Sequence, residues 1–297
     1  MNTDKHRFVL RYVLVFAILS TITGAALGQA TAAKPLAPNV VEHKLTSKLM
    51  GREMPYRVVL PAGYADAKAT SRHPVIYLLH GLTGHFNNWT DATKVEEYAL
   101  DHKFIIVTPE GDNGWYTDSV SKATDKYESY IVKELIPEID AKYRTLATRE
   151  NRVIAGLSMG GYGATKFGLK YPEMFSLIGS FSGALGAAGW TEKTAGQIAR
   201  SMDSVFGTDE AGENRKANDI FKLARELTPE KTKALPFVYQ SCGTEDFLIQ
   251  NNRDFLAILI EKKVPHEYRQ HPGVHDWAFW DDQIREFLQV AERRNKK

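Results

Sequence analysis

The sequence predicts an α/β fold: a mostly parallel central sheet with helices on both faces. Three observations predict it. Residues 74–79, 104–107, 152–155, 175–181 and 236–240 are short apolar runs, the pattern of strands buried on both faces. Stretches with apolar residues at helical spacing lie between several of these runs. Four of the runs give way at their carboxyl ends to loops rich in Gly and polar residues, the sequence mark of a chain leaving a sheet. At 297 residues the chain is long enough for one large α/β domain, or at most two.

The first element is not part of that fold. Lys5, Arg7 and Arg11 form a basic start, residues 12–19 are an unbroken apolar run, and Ala30-Thr31-Ala32 offers a small-residue cleavage site. Residues 1–32 therefore read as a signal peptide, because the apolar run is short of the ~20 residues that a membrane span needs. No Cys lies near the site, so the sequence gives no support for a lipid-modified N-terminus. The segment carries three basic residues against Asp4, a net +2, so its removal takes the formal charge from +2 to 0. A neutral mature chain has no electrostatic footprint for nucleic acid or anionic lipid. The single cysteine, Cys242, cannot form an internal disulfide and falls at the end of an apolar run, where packing explains it. An exported protein without disulfides fits a bacterial secreted or periplasmic location, with no stable membrane anchor once the signal is removed. Nothing in the sequence sets the oligomeric state.

Residues 33–297 then form the folded domain. Residues 34–38 read as a linker, and residues 40–50 and 53–60 as two strands joined at Gly51. The strand at 74–79 ends in His80-Gly81-Leu82-Thr83-Gly84, and the strand at 104–107 runs into the turn-rich residues 109–114. A helix follows from about Lys126, with Tyr127, Tyr130, Ile131 and Leu135 on its buried face, and Pro137 is expected to kink or end it. After the strand at 175–181, residues 184–234 contain no clear strand. They show helical spacing at Ile198, Met202 and Val205, and again at Ile220, Leu223 and Leu227, and so read as a small helical cap inserted in the sheet domain. The sheet resumes at 236–240. Residues 255–262 read as helix, 267–270 as a polar edge strand, and Trp277, Trp280, Ile284, Phe287 and Leu288 as the apolar stripe of a last helix.

The chain is organised around residues 152–163, a β-branched strand, then Gly156-Leu157-Ser158-Met159-Gly160, then a small-residue helix start. This is the G-x-S-x-G nucleophile elbow in its strand–turn–helix setting. A serine on so sharp a turn sits in a strained conformation, and the residues two positions either side must be small, as Gly156 and Gly160 are. Gly161 and Gly163 are expected to let the helix pack close to the strand. The turn also aims N–H groups of the helix start at whatever lies over Ser158.

A serine nucleophile needs a base, and the base needs an acid to fix its tautomer. Ligands of open α/β sheets gather at the carboxyl ends of the strands. Asp246 follows one strand, and His275 lies between the last strand and the last helix, giving the chain order Ser158, Asp246, His275. His271 is the rival base, placed at a strand end before Pro272, and Glu245 is the rival acid. Asp276 reads as the N-cap of the last helix. The loop at 80–84 supplies the other half of an oxyanion hole, whose two backbone donors would be the N–H groups of Leu82 and Met159. Trp115 and Tyr116 would overhang the site, either stacking on a sugar or aryl group as substrate-binding residues or packing their own loop. No cofactor is implied. The helical H-E-x-x-H pair and any Cys pair are absent, so His80, His85, His271 and His275 are not read as metal ligands.

Taken together, these stretches resemble the esterase D-like family of α/β-hydrolases, which includes S-formylglutathione hydrolases, tributyrin esterases, feruloyl and acetyl-xylan esterases and mycolyltransferases. The matching segments are Leu78-Leu79-His80-Gly81, Trp115-Tyr116-Thr117-Asp118, Glu134-Leu135-Ile136-Pro137, the elbow from Gly156 to Ala164, Phe181-Ser182-Gly183-Ala184 and His275-Asp276-Trp277. They span roughly residues 40–290. The resemblance implies an α/β-hydrolase fold, Ser158, Asp246 and His275 as catalytic triad, and a small-molecule or carbohydrate ester as substrate. The export signal sets the chain apart from the formylglutathione hydrolases, which look cytoplasmic. The expected activity is that of a secreted serine carboxylesterase acting on short-chain or carbohydrate- or aryl-linked esters. An acyltransferase that passes the acyl group to a sugar or lipid alcohol is the alternative, and a catalytically silent binding protein is the third reading.

Overall fold

The computed structural model describes residues 35–66 and 68–295. The expected signal peptide at residues 1–32 lies outside them. Eight strands form one sheet: β1 (Val40–Ser47), β2 (Arg52–Val59), β3 (Val75–Leu79), β4 (Ile105–Pro109), β5 (Arg152–Leu157), β6 (Leu177–Phe181), β7 (Phe237–Gly243) and β8 (His266–His271). Their order is β1-β2-β4-β3-β5-β6-β7-β8. β1 and β2 form an antiparallel hairpin, and β2 pairs antiparallel with β4. The remaining pairs, from β4 to β8, are parallel, which bears out the α/β class.

The strands show why continuous apolar runs were needed. Tyr77, Leu79, Ile105, Val107 and Ile154 join one buried cluster, whereas Ile76, Leu78, Ile106, Val153 and Ala155 join the other. Alternate side chains thus enter two cores, one on each face of the sheet. The first face is covered by the helices Tyr127–Lys142, Met159–Lys170 and Ile249–Glu261, and the second by Asn88–Ala92, Val95–Tyr98 and Trp277–Asn295. Between β6 and β7 lie four α-helices, Glu192–Phe206, Glu213–Asn218, Ile220–Arg225 and Pro229–Ala234. Among the described residues no helix is long and apolar enough to cross a membrane.

Two helices show local detail that the sequence gives only in part. Pro137 does not end its helix but interrupts it: the turn Ile131–Leu135 is π-helical and α-helix resumes over Ile136–Lys142. The wider turn gives the proline ring room against the preceding turn, where a regular α-helix would set it against the carbonyl four residues earlier. The helix expected at 255–262 begins at Ile249, six residues earlier. Its first turns look like loop in sequence because they read Gln-Asn-Asn-Arg-Asp. However, Asn252 is fully buried, and its amide donates to the carbonyls of Gly183 and Leu248 at 3.0 and 2.9 Å.

Candidate active site

Ser158 follows β5 and caps the helix Met159–Lys170, with φ 51° and ψ −114°. The strained turn is held by its neighbours. The Ser158 N–H donates to the Phe181 carbonyl at 2.9 Å, and the Ser158 carbonyl accepts from Tyr162 and Ala184, both at 3.0 Å. Gly160 must lack a side chain because a Cβ there would lie 2.4 Å from the Leu79 carbonyl oxygen and 2.7 Å from that of His80. Gly163 serves a different purpose from the one expected. A Cβ there would meet the Tyr116 ring at 2.6 Å, so this glycine makes room for an aromatic side chain rather than for the strand.

His275 faces Ser158 from the loop after β8. Its Nε2 lies 3.0 Å from Ser158 Oγ, and its Nδ1 lies 2.8 Å from Asp246 Oδ2. A carboxylate only accepts, so Nδ1 carries the proton and Nε2 presents a lone pair to the serine hydroxyl. Asp246 is 1% exposed, and its other oxygen accepts the Leu248 N–H at 2.8 Å. The rivals fall elsewhere. Glu245 accepts the Gly273 N–H at 2.7 Å and so fastens the loop that carries the histidine. His271 stays on β8, 3.6 Å from Glu286. Asp276 Oδ1 accepts the Phe279 N–H at 2.9 Å, the expected cap of the last helix.

The imidazole of His275 is held between two rings. Trp280 meets it edge-on at 4.9 Å between centroids, and Phe247 lies tilted over it at 4.5 Å. Phe247 is 55% exposed and Val274, next to the histidine, is 47% exposed. Phe247 thus gives the histidine an exposed apolar lip, with Val274 next to it in the chain. Sequence reasoning missed Phe247. Its one available signal was its position immediately after Asp246.

The backbone N–H groups of Leu82 and Met159 donate to no protein acceptor among the described residues, although their neighbours Gly84, Ser158 and Tyr162 are paired. The loop of Leu82 is braced by His80, whose Nδ1 lies 2.8 Å from the Gly81 carbonyl and whose Nε2 lies 3.2 Å from Glu110 Oε1. Burial pushes the Glu110 carboxyl up. The hydrogen bond and charge of His80, the Asp112 N–H and the charge of His85 outweigh that and hold it at about 2.

Trp115 and Tyr116 do not overhang the site; of the two readings, stacking on substrate is corrected and packing of their own loop stands. They are 2% and 0% exposed. Trp115 packs edge-on against Tyr162 and Trp190, and the Tyr116 hydroxyl donates to the His80 carbonyl at 3.0 Å.

His85, Glu110 and Asp112 bring potential metal-ligand atoms within 4.8 Å of one another. Glu110 Oε1 accepts the N–H groups of Gly111 and Asp112 at 2.9 and 2.7 Å, and Oε2 faces His85 Nδ1 at 3.2 Å.

A sheet of this order with a serine–histidine–aspartate relay at its strand ends is the architecture of an α/β-hydrolase. The family model for esterases, described as "Putative esterase", matches residues 47–289, and the chain belongs to that family, among the esterase D-like hydrolases. It is a serine hydrolase of carboxylic esters. An acetyl esterase of Caldicellulosiruptor saccharolyticus is 28% identical over 266 residues, covering 82% of this chain and 95% of its own. The chain spans 56% of the length of a curated esterase of Mycobacterium tuberculosis that it also matches. Among solved structures, a ferulic acid esterase superposes with a TM-score of 0.72 at 28% identity, covering 86% of this chain and 98% of its own. A fluorophosphonate-binding serine hydrolase of Staphylococcus aureus superposes with a TM-score of 0.73 at 26% identity, covering 85% and 97%.

Proposed function

We propose that the mature chain is an exported carboxylesterase that cleaves short-chain or carbohydrate- or aryl-linked esters through an acyl-enzyme on Ser158. His275 takes the serine proton as the hydroxyl attacks, then returns it to the leaving alcohol, and in the second half-reaction activates water in the same way. Asp246 orients the ring and stabilises it when charged. The N–H groups of Leu82 and Met159 hold the tetrahedral oxyanion. The observation that carries this reading is the unbroken relay from Asp246 through His275 to Ser158, at 2.8 and 3.0 Å.

Substrate preference follows from the rim. Phe247 and Val274 are exposed apolar groups beside the imidazole, suited to the flat face of an aryl group or to a short acyl chain. The residues 184–234, read as a cap, carry many Lys, Arg, Asp and Glu side chains and offer no long apolar wall. Each methylene without such a wall forgoes roughly 0.8 kcal/mol of burial. The acetyl and ferulic acid esterases among its relatives point the same way. The domain is taken to be residues 33–297, released from the signal peptide at residues 1–32 into the periplasm or medium.

The test is a chain-length series of p-nitrophenyl esters, each below its micelle threshold, beside acetylated sugars and feruloyl esters. Efficiency should fall from acetate or butyrate towards longer chains. A maximum at eight carbons or beyond would overturn the short-chain reading. Repeating the acetate reaction with added glucose or glycerol separates hydrolysis from transfer, because an acyltransferase would yield acylated alcohol in place of free acid.

A further inference from the structure

We propose that Lys166 is a positioning residue for the oxyanion loop, acting through Tyr116 on the carbonyl of His80. The inference rests on the reading of Leu82 as an oxyanion donor. Lys166 lies on the helix that starts at Ser158 and is 0% exposed. Its Nζ donates to the Tyr116 carbonyl at 2.7 Å and to Thr117 Oγ1 at 2.6 Å, and pairs with Glu128 Oε2 at 2.8 Å. Three acceptors match the three protons of an ammonium group.

A buried ion pair alone is weak evidence of purpose, since apolar side chains of similar volume often fold as stably. This pair differs in where its protons go. Two of three are committed to the backbone and side chain of residues 116 and 117. There the chain does something costly: Trp115 and Tyr116 have φ of 51° and 49°, consecutive left-handed residues that are not glycine. Each such conformation costs roughly 1–3 kcal/mol and persists only where its surroundings over-determine it. Lys166 grips the second carbonyl, and Gly111 and Gly163 leave space for the Tyr116 ring, which a Cβ on either would meet at 2.5 or 2.6 Å.

The outcome is the placement of one hydroxyl. Tyr116 Oη donates to the His80 carbonyl, the same oxygen that a Cβ on Gly160 would crowd at 2.7 Å. His80 also holds the next carbonyl, that of Gly81, through its ring. Both peptides before Leu82 are thereby fixed, and with them the direction of the Leu82 N–H. One helix thus sets the nucleophile at its first turn and, through Lys166 two turns later, the far wall of the site.

The experiment compares wild type, Lys166→Met, Tyr116→Phe and the double variant on p-nitrophenyl acetate, with active sites counted by a fluorophosphonate label. Counting sites removes any loss of folded protein from kcat. Deleting an oxyanion donor costs about a hundredfold to a thousandfold, so a displaced one should lower kcat per labelled site about tenfold to a hundredfold in each single variant. KM should stay within about threefold, and the double variant should be no worse than the poorer single by more than about threefold, because both act through one contact. A kcat per site within twofold of wild type for either single variant, or losses that multiply in the double, would overturn the proposal. Glu128 also pairs with Lys170 at 2.6 Å and accepts the Tyr171 hydroxyl at 2.7 Å, partners that Lys166→Met does not remove. Should that variant not fold, Tyr116→Phe decides alone, because it keeps the ring. A wild type that takes no label overturns the Ser158 reading and this inference with it. A labelled wild type with unaffected variants overturns this inference only.

Discussion

Two histidine–carboxylate pairs stand at the strand ends of this molecule, and they are built for opposite ends. His275 and Asp246 lie after β8 and β7, and His80 and Glu110 lie after β3 and β4. In each pair a ring nitrogen faces a buried carboxylate, at 2.8 Å in the first and 3.2 Å in the second. What differs is the other nitrogen. That of His275 faces the Ser158 hydroxyl, a group that can give up a proton. That of His80 faces the Gly81 carbonyl, which can only accept, so Nδ1 donates there while Nε2 accepts the Gly111 N–H at 2.9 Å, and both nitrogens are committed to the backbone. A histidine with one free nitrogen can move protons. One with none is a bracket for the backbone.

The largest effects should separate the pairs. Replacing Ser158 or His275 by Ala should lower kcat by at least about 10⁴-fold with the fold intact, because triad members act as a unit. A kcat near wild type on a simple aryl ester would remove the assignment. Asp246→Asn should also cripple turnover, by about 10³- to 10⁴-fold, because the amide favours the wrong tautomer. Glu245→Gln should stay within about threefold, since its oxygen still accepts the Gly273 N–H. The reverse ranking would move the acid to Glu245.

The second pair should instead appear in stability. The carboxyls of Glu110 and Glu128 are both held at about 2, below the ordinary 4.5. Groups whose folded value is depressed contribute stability that is fully present above pH 4.5 and is lost as pH falls towards 2. The melting temperature should therefore drop across that window, and Glu110→Gln should flatten the drop while lowering kcat far less than Asp246→Asn. A melting curve of Glu110→Gln with the same acid slope as wild type would contradict the account. Metal plays no part in either pair as read here, so EDTA should leave kcat unchanged; loss reversed by added metal would contradict that. The smallest effect belongs to the lip. Phe247→Ala should raise KM for aryl esters about threefold to tenfold with little change for acetate on a small alcohol, in line with the loss of about 0.5–1.5 kcal/mol of ring contact.

The two pairs were also unequally legible in sequence. Ser158, Asp246 and His275 follow from local signals, an elbow motif and polar residues just beyond apolar strands, read in chain order. The structure brings those three side chains together. For Trp115 and Tyr116 the sequence leaves stacking and packing open, because nothing within their own loop reveals burial. Their partners are Lys166, some fifty residues away, and Gly163, and only the folded chain unites them. The start of the helix at Ile249 was missed for a related reason. Asn252 looks like a loop residue, and it becomes a helical one because Gly183 and Gln240 supply partners for its amide, at 3.0 and 2.9 Å. Long-range satisfaction of polar groups overrides local propensity at such points.

The central claim is that ester cleavage passes through a covalent intermediate on one serine. The most direct measurement is acid quench of the enzyme during turnover of p-nitrophenyl butyrate, followed by intact mass and peptide mapping. The account predicts a single added butyryl group on the peptide that contains Ser158, absent when Ser158 is replaced by Ala. A butyryl group on any other residue, or turnover with a pre-steady-state release of p-nitrophenol that leaves Ser158 unmodified throughout, would contradict it.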